Sequence, residues 1–486
     1  MLFTEPSFLF LFLPVVLALY YLAPRSLRNL VLLVGSLYFY AVGEQFFVLV
    51  MVASILFNYG MGLALDRPRS VRARRLLLIA GIAVNLDGLA VFKYADFIVI
   101  NLNKGLALVS GPTLAVPDLH LPVGISFFTF HALSYLIDIY RREVRAMRGL
   151  ASFSLYITLF PQLIAGPIIR YKLIADQFEG RRETLSAFSE GVRRFVLGFG
   201  KKMLIANTVA RVTDQIFAAP TGSLTSSVAW LAVVCYAIQI YFDFSGYSDM
   251  AIGIGRMFGF VFPENFNYPY AAASITEFWR RWHMTLSGWF RDYLYLPLGG
   301  NRAGSARTYR NLLVVFFLCG LWHGASWAFV VWGLFHGAFL ILERVGLGRL
   351  LLRCPSFVRH AYALVVILVG WVFFRADTLT RALGVLRAMA GLSGASGREY
   401  FPALYADSRL TLALIAGVIG AGPLLPGLAS AVSRRLAPTL SASGGGRALL
   451  VATAEAGGLA CLAMVFFLSA MLSAAGTYSP FIYFRF

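Results

Sequence analysis

The amino-acid sequence predicts an all-α, polytopic transmembrane protein, and three observations predict it. Of the 486 residues, 59% are hydrophobic and only 13% charged, with a mean hydropathy of +0.73, a composition that a soluble domain could not present to water. Apolar runs long enough to cross the ~30 Å of hydrocarbon recur along almost the whole chain. Between them Lys and Arg collect in short clusters, as they do in membrane-protein loops. Helices follow because lipid offers no partner to an open strand edge.

Clear spans are Phe8 to Leu22, Phe46 to Leu65, Leu76 to Val91, Val123 to Tyr140, Ala229 to Phe242, Leu312 to Leu342, Tyr362 to Phe374, Leu410 to Leu428 and Leu449 to Leu472. With weaker runs the total is about ten to twelve, plus re-entrant or interfacial helices. The first run follows Glu5 with no basic residue before it and no small-residue cleavage site, so it reads as a retained helix. Arg25 and Arg28 come next, which puts the N-terminus outside and the first loop in the cytoplasm.

The formal net charge of +19 resides in clusters at Arg67 to Arg75, Arg141 to Arg148, Arg170 to Lys202 and Arg302 to Arg310. These read as loops touching anionic membrane lipids, with no nucleic-acid role; a phosphate-bearing acyl donor is their other candidate ligand. Cys235, Cys319, Cys354 and Cys461 lack metal-ligand spacing, so neither a disulfide framework nor a metal site follows. Residues 1–486 read as one membrane domain, with exposed loops at Gly391 to Arg409 and Ser433 to Arg447. From about Pro161 to His336, polar, charged and aromatic residues interrupt the apolar runs, so function is sought in this middle region, within a core of about 121–345.

Within that core, Ser274-Ile-Thr-Glu277 has the form of a capping box opening an amphipathic helix over Phe278 to Tyr295. At helical spacing Trp279, His283, Leu286 and Phe290 share one face, and Arg280, Ser287 and Arg291 an adjoining one. A plain interfacial anchor explains that pattern, except that His283 is titratable and sits on the aromatic face. Further on, Gly320 and Gly324, then Gly333 and Gly337, have the spacing that lets helices approach closely, and His323 lies inside this seam. An imidazole there can take and return a hydroxyl proton near neutral pH, although on residue type alone a packing histidine is commoner. His336 falls on a different helix face and reads either as structural or as a support behind the site, His131 reads as a packing residue, and His120 and His360 read as loop positions.

Two carboxylates, Asp243 and Asp249, end another apolar run. They call for an interface or for a buried role, either orienting a histidine or binding substrate, and Ser245 and Gly246 could break the helix there. Phe160-Pro-Gln-Leu-Ile-Ala-Gly-Pro167 suggests a broken or re-entrant segment lining a cavity. No nucleophile elbow, P-loop or His-Glu-x-x-His motif occurs, which argues against a serine hydrolase, an ATP-driven pump and a zinc protease.

Several long motifs occur together: Leu121-Pro-Val-Gly-Ile-Ser-Phe127, the Phe160 to Pro167 segment, Tyr241-Phe-Asp-Phe-Ser-Gly-Tyr-Ser-Asp-Met-Ala-Ile-Gly253, Glu264-Asn-Phe-Asn267, Phe278-Trp-Arg-Arg-Trp-His283, Arg291-Asp-Tyr-Leu-Tyr295, Gly299-Gly-Asn-Arg302 and Leu321-Trp-His-Gly324. In that order they resemble the membrane-bound O-acyltransferase family, most of all its bacterial alginate O-acetyltransferase branch. The teichoic-acid D-alanylating and peptidoglycan O-acetylating enzymes share motifs with that branch.

The resemblance implies a ring of helices around a thinned centre, with a tunnel joining the two membrane faces at a catalytic histidine. His323 corresponds to that histidine and His283 to a second functional one. It further implies acetyl-CoA as the cytoplasmic acyl donor, with no bound cofactor, and location in the bacterial inner membrane. The acetyl group would pass to a periplasmic SGNH-type acetyltransferase or to a polysaccharide acceptor. Arg280, Arg281, Asp243, Asp249, Trp322 and Asn265 are candidates for contacts to substrate or donor, with Arg170, Lys201 and Lys202 as further candidates for the donor's phosphates. Two rival readings are a flippase for lipid-linked sugars, which predicts internal repeats that are not seen, and a non-catalytic scaffold for periplasmic transferases. The scaffold reading predicts that His323 is dispensable.

Overall fold

A computed structural model describes residues 1–302, 304–424, 427 and 445–476 of the chain. The expected loop at Ser433 to Arg447 falls mostly outside the described residues, whereas Gly391 to Arg409 is irregular chain with one helical turn, as expected. Described residues form helices and irregular connections with no strand.

The principal helices are α1 (Leu13–Leu22), α2 (Arg28–Glu44), α3 (Val48–Asp66), α4 (Val71–Leu108), α5 (Ile125–Tyr140), α6 (Leu150–Thr158), α7 (Leu185–Gly200) and α8 (Ser226–Met257). After these come two short helices, α9 (Ile275–Arg281) and α10 (Met284–Phe290). The chain continues through α11 (Ser305–His323), α12 (Trp327–Leu342), α13 (Ser356–Arg375), α14 (Ser408–Gly420) and α15 (Gly445–Ala474). Among the described residues, six helical stretches are long and apolar enough to cross a membrane, and the shorter apolar helices Phe8–Leu22, Ile125–Tyr140 and Ser408–Gly420 join them. One of the six, Arg25–Asp66, is split where Gln45 takes φ 40°, giving the separate helices α2 and α3.

Burial orders the bundle. The apolar window of α8 is 78% buried and that of α4 only 17%, so α8 is a central post and α4 a lipid-facing wall. Exposed Leu22, Val34, Ile79, Leu412 and Phe467 are the residues a hydrocarbon phase would cover. The post is gripped by α7, which crosses it antiparallel at two glycine pairs. A Cβ on Gly198 would lie 2.5 Å from the Gly246 carbonyl oxygen, and one on Gly191 would lie 2.6 Å from that of Gly253. Gly246 therefore does not break the helix as expected: α8 runs unbroken through Ser245 and Gly246, because absent side chains are what the close crossing requires.

Basic loops gather on one face. Arg28 pairs with Glu183 at 2.9 Å, Arg148 with Asp66 at 2.9 Å and Lys172 with Glu143 at 2.6 Å, and Arg170 pairs with Asp292. Burial alone would raise the Asp292 carboxyl, but Arg291 and Arg170 hold it below the usual carboxylate range. The far ends of α2 and α4 lie on the opposite face, where His120 meets Glu44 at 3.2 Å. His120 is a loop residue as expected; His360 is not, since it lies within α13.

Two expected helices are each divided. The amphipathic helix over Phe278 to Tyr295 stops at Arg281, passes through an extended Trp282, and restarts after His283, which takes φ 42°. Segment Asn265–Asn267 supplies the hydrogen bonds that a continuous helix would have made: the Asn265 carbonyl accepts from Met284 N at 2.9 Å, and Asn267 N donates to the Arg281 carbonyl at 2.9 Å. Trp279, Trp282 and Trp289 are buried, so the segment is core and not a headgroup anchor. Likewise Leu312 to Leu342 is a hairpin. An extended Gly324 ends α11, and Ser326 caps α12. Gly320 and Gly333 face each other across it, where a Cβ would lie 2.3 Å from the Phe329 carbonyl oxygen or 2.1 Å from that of Phe316. The glycine spacing thus marks a seam within one hairpin. The stretch Phe160 to Pro167 is broken as expected, with a single buried turn at Phe160–Leu163 followed by buried irregular chain.

Candidate active site

His323 ends α11 and is 4% exposed, its ring held by Trp322, Trp332 and Phe374 with centroids 4.8, 5.0 and 5.0 Å away. The helix stops there because Gly324 adopts φ −171°, ψ 152°, so the imidazole sits on the last turn where the backbone turns back into α12. His283 borders the same Trp322 ring at 6.1 Å and meets Phe244 edge-on at 4.6 Å. The structure therefore brings together the two histidines, forty positions apart in the sequence, around one indole.

Asn265 fixes the second histidine. Its Oδ1 lies 3.0 Å from His283 Nδ1 and accepts from Thr285 Oγ1 at 2.9 Å, while its Nδ2 donates to Ser248 Oγ at 3.1 Å. With the amide held this way, Nδ1 carries the proton and Nε2 presents a lone pair. Nε2 has no hydrogen-bond partner among the described residues. Asn265 thus holds His283 in place. We expect Asn265→Ala to lower turnover roughly ten- to hundredfold by loosening that imidazole. Normal turnover in a folded Asn265→Ala protein would refute this.

The two carboxylates occupy other positions. Asp243 pairs with Lys202 at 2.8 Å, both nearly fully buried. Asp249 is clamped by Lys201 at 2.6 Å and by Arg194, which also grips Glu264 beside Asn265. These charges tie α7 and the following turn to α8, and Glu264 carries the tie to the segment that holds His283. His336 and His131 are packed in the interior, as expected of structural histidines.

Two cavities lie near this end of α11, and His323 itself lines the smaller one. The larger, about 660 Å³, has a floor of Leu286, Phe290, Val315, Phe316 and Cys319 and is ringed by Arg280, Arg291, Arg344, Arg349 and Arg359. Cys319 is one helical turn from His323, about 6 Å along α11. Arg280 is therefore on a cavity wall, whereas Arg281 pairs with Glu277 at 2.8 Å. Lys201, Lys202 and Arg170 already have carboxylate partners. Arg344 and Arg349, just beyond α12, and Arg359 on α13 were not singled out by sequence, since only folding brings them opposite Arg280. Glu343 sits on the same wall, and its carboxylate accepts from Ile275 N at 2.6 Å and Thr276 N at 2.9 Å. It thereby completes the cap that Ser274 begins with a 3.0 Å bond from Glu277 N.

A smaller cavity of about 310 Å³ lies against His323 and Trp322 and is walled by Lys93, His120 and the Leu121 to Phe127 motif. Gly124, at φ 78°, lets that motif turn into α5 against the Leu163 carbonyl. Lys93 had no sequence signal of its own, being one of several charged residues along α4.

The model of the membrane-bound O-acyltransferase family matches residues 99–380. A probable alginate O-acetylase of Azotobacter vinelandii is 46% identical over 391 residues, covering 80% of this chain and 78% of that one. The peptidoglycan O-acetyltransferase of Helicobacter pylori is 37% identical over 431 residues, covering 82% and 81%. The teichoic acid D-alanyltransferase of Streptococcus thermophilus is 29% identical over 238 residues, or 46% of this chain and 56% of its own. With a family match across more than half its length and relatives this similar along most of it, the chain belongs to the membrane-bound O-acyltransferase family and is a multi-pass membrane O-acyltransferase.

Proposed function

We propose that this enzyme takes acetyl groups from cytoplasmic acetyl-CoA and delivers them, across a bacterial inner membrane, for O-acetylation of an exported polysaccharide such as alginate. The observation that carries the reading is a buried histidine at the end of α11 that lines a small cavity and lies one helical turn beyond Cys319, which is on the floor of an arginine-ringed cleft. The relatives' names supply the acyl group and the class of polymer.

The loops with the basic clusters are assigned to the cytoplasm by the positive-inside tendency. Arg280, Arg344 and their neighbours then receive the donor's phosphates by charge-assisted hydrogen bonds. The apolar floor leads the thioester along α11 toward His323. His323 takes the proton of an acceptor hydroxyl, and that oxygen attacks the thioester carbonyl. The carbon–sulfur bond breaks, and the thiolate leaves with the proton returned by His323. The neutral Nε2 of His283 orients the reacting groups. The acceptor, a sugar hydroxyl or one on a periplasmic SGNH-type acetyltransferase, enters from the smaller cavity.

Reconstituted protein supplied with labelled acetyl-CoA on one side tests the scheme. We expect transfer only when donor meets the basic face, and the double substitution Arg280→Ala with Arg344→Ala to raise donor KM roughly tenfold or more with little change in kcat. Transfer that is equal from both faces, or a donor KM unmoved by the loss of these arginines, would sink the donor assignment.

A further inference from the structure

We propose that Lys93 of α4 is a positioning residue for the transfer site, fixing from the acceptor side the helix end that carries His323; this rests on the function proposed above. A helix that ends inside a protein leaves its last carbonyls without intrahelical partners, and where water is excluded each one is costly. At the end of α11 those carbonyls belong to Leu321, Trp322 and His323. Two adjacent residues of a separate helix reach them. Tyr94 donates to the Leu321 carbonyl at 2.8 Å, and Lys93 Nζ donates to that of Trp322 at 2.5 Å. Lys93 also lies 3.5 Å from the His323 carbonyl and from Ser126 Oγ, at the outer limit of a hydrogen bond.

The charge suits the position. A cation at a helix C-terminus meets the negative end of the macrodipole, and it does so here against the cavity that His323 and Trp322 line. Lys93 is about 33 Å along α4 from Val71, far from the basic face, and an ammonium in an apolar helix is costly without such partners. Its side chain also lies 5.9 Å from the Trp322 ring, so one residue touches both the backbone and the side chain of the residue bordering both histidines. The alternative is a lysine that merely extends toward the lipid headgroups, which predicts no effect on α11.

The full chain in lipid nanodiscs, as wild type and as Lys93→Met, Lys93→Gln, Lys93→Arg and Tyr94→Phe, tests the proposal by two readouts. Hydrogen exchange of the segment 318–328 needs no substrate; we expect it to quicken in Lys93→Met while α8 and α13 are unchanged. In turnover, Lys93→Met should lower kcat on the order of 100-fold with donor KM within about twofold, as for a misplaced catalytic group. Lys93→Arg should recover part of kcat, and Tyr94→Phe, which removes one neutral bond, should cost less than Lys93→Met. If Lys93→Met does not fold, Lys93→Gln, which keeps a donor but no charge, carries the same measurements. Unchanged exchange at 318–328, or a kcat within about threefold of wild type, overturns the proposal. If the wild type transfers nothing from acetyl-CoA, the donor assignment falls, and the exchange measurement still decides the role of Lys93.

Discussion

Replacing His323 with Ala is expected to lower polysaccharide ester formation by roughly 10²- to 10⁴-fold, the usual contribution of a general base, while the protein persists in the membrane. The imidazole is 4% exposed and touches three aromatic rings, so its loss opens space in a packed wall without stranding a charge. The structural cost should therefore stay within about 1–3 kcal/mol. Ester content and membrane abundance, measured together in cells carrying the variant, decide the matter. Ester at the wild-type level would make His323 a packing residue and favour a scaffold. Loss of ester with normal abundance leaves the base in place.

Gly333→Ala should be the most damaging single change to the fold. The added Cβ would sit 2.1 Å from the Phe316 carbonyl oxygen, and that backbone atom cannot move without parting α11 from α12. Overpacking on this scale costs about 3 kcal/mol, and the parted hairpin carries His323 with it, so activity should fall together with stability. Gly337→Ala is the control. There the nearest atom is the Phe316 Cβ at 3.2 Å, which can give a few tenths of an ångström, so the change should cost less than about 1 kcal/mol. Thermal melting in detergent compares the two, and equal melting temperatures would refute the seam.

The sequence by itself determined that this protein is a helical membrane bundle, that function lies in its middle, and that His323 and His283 stand out there. Hydropathy and residue type are properties of the chain, and lipid enforces them at every span. It also held the glycine spacings at 320 and 333, although not which surfaces they join. Tertiary structure alone decided where helices stop. At His283 the bonds that a continuous helix would need are taken by Asn265 and Asn267, fourteen to nineteen residues upstream of their partners, and no local pattern encodes a partner so distant. It also decided which charges are spent. Asp243, Asp249, Lys201 and Lys202 carry the same charge in any extended chain, but the crossing of α7 over α8 pairs them with one another. Arg344 and Arg349 meanwhile come to share a wall with Arg280, more than sixty residues away. Lys93 shows the same dependence: a cation within a largely apolar helix gains meaning only when α11 ends against it, since a hydrogen bond is a relation between two positions that the chain brings together by folding.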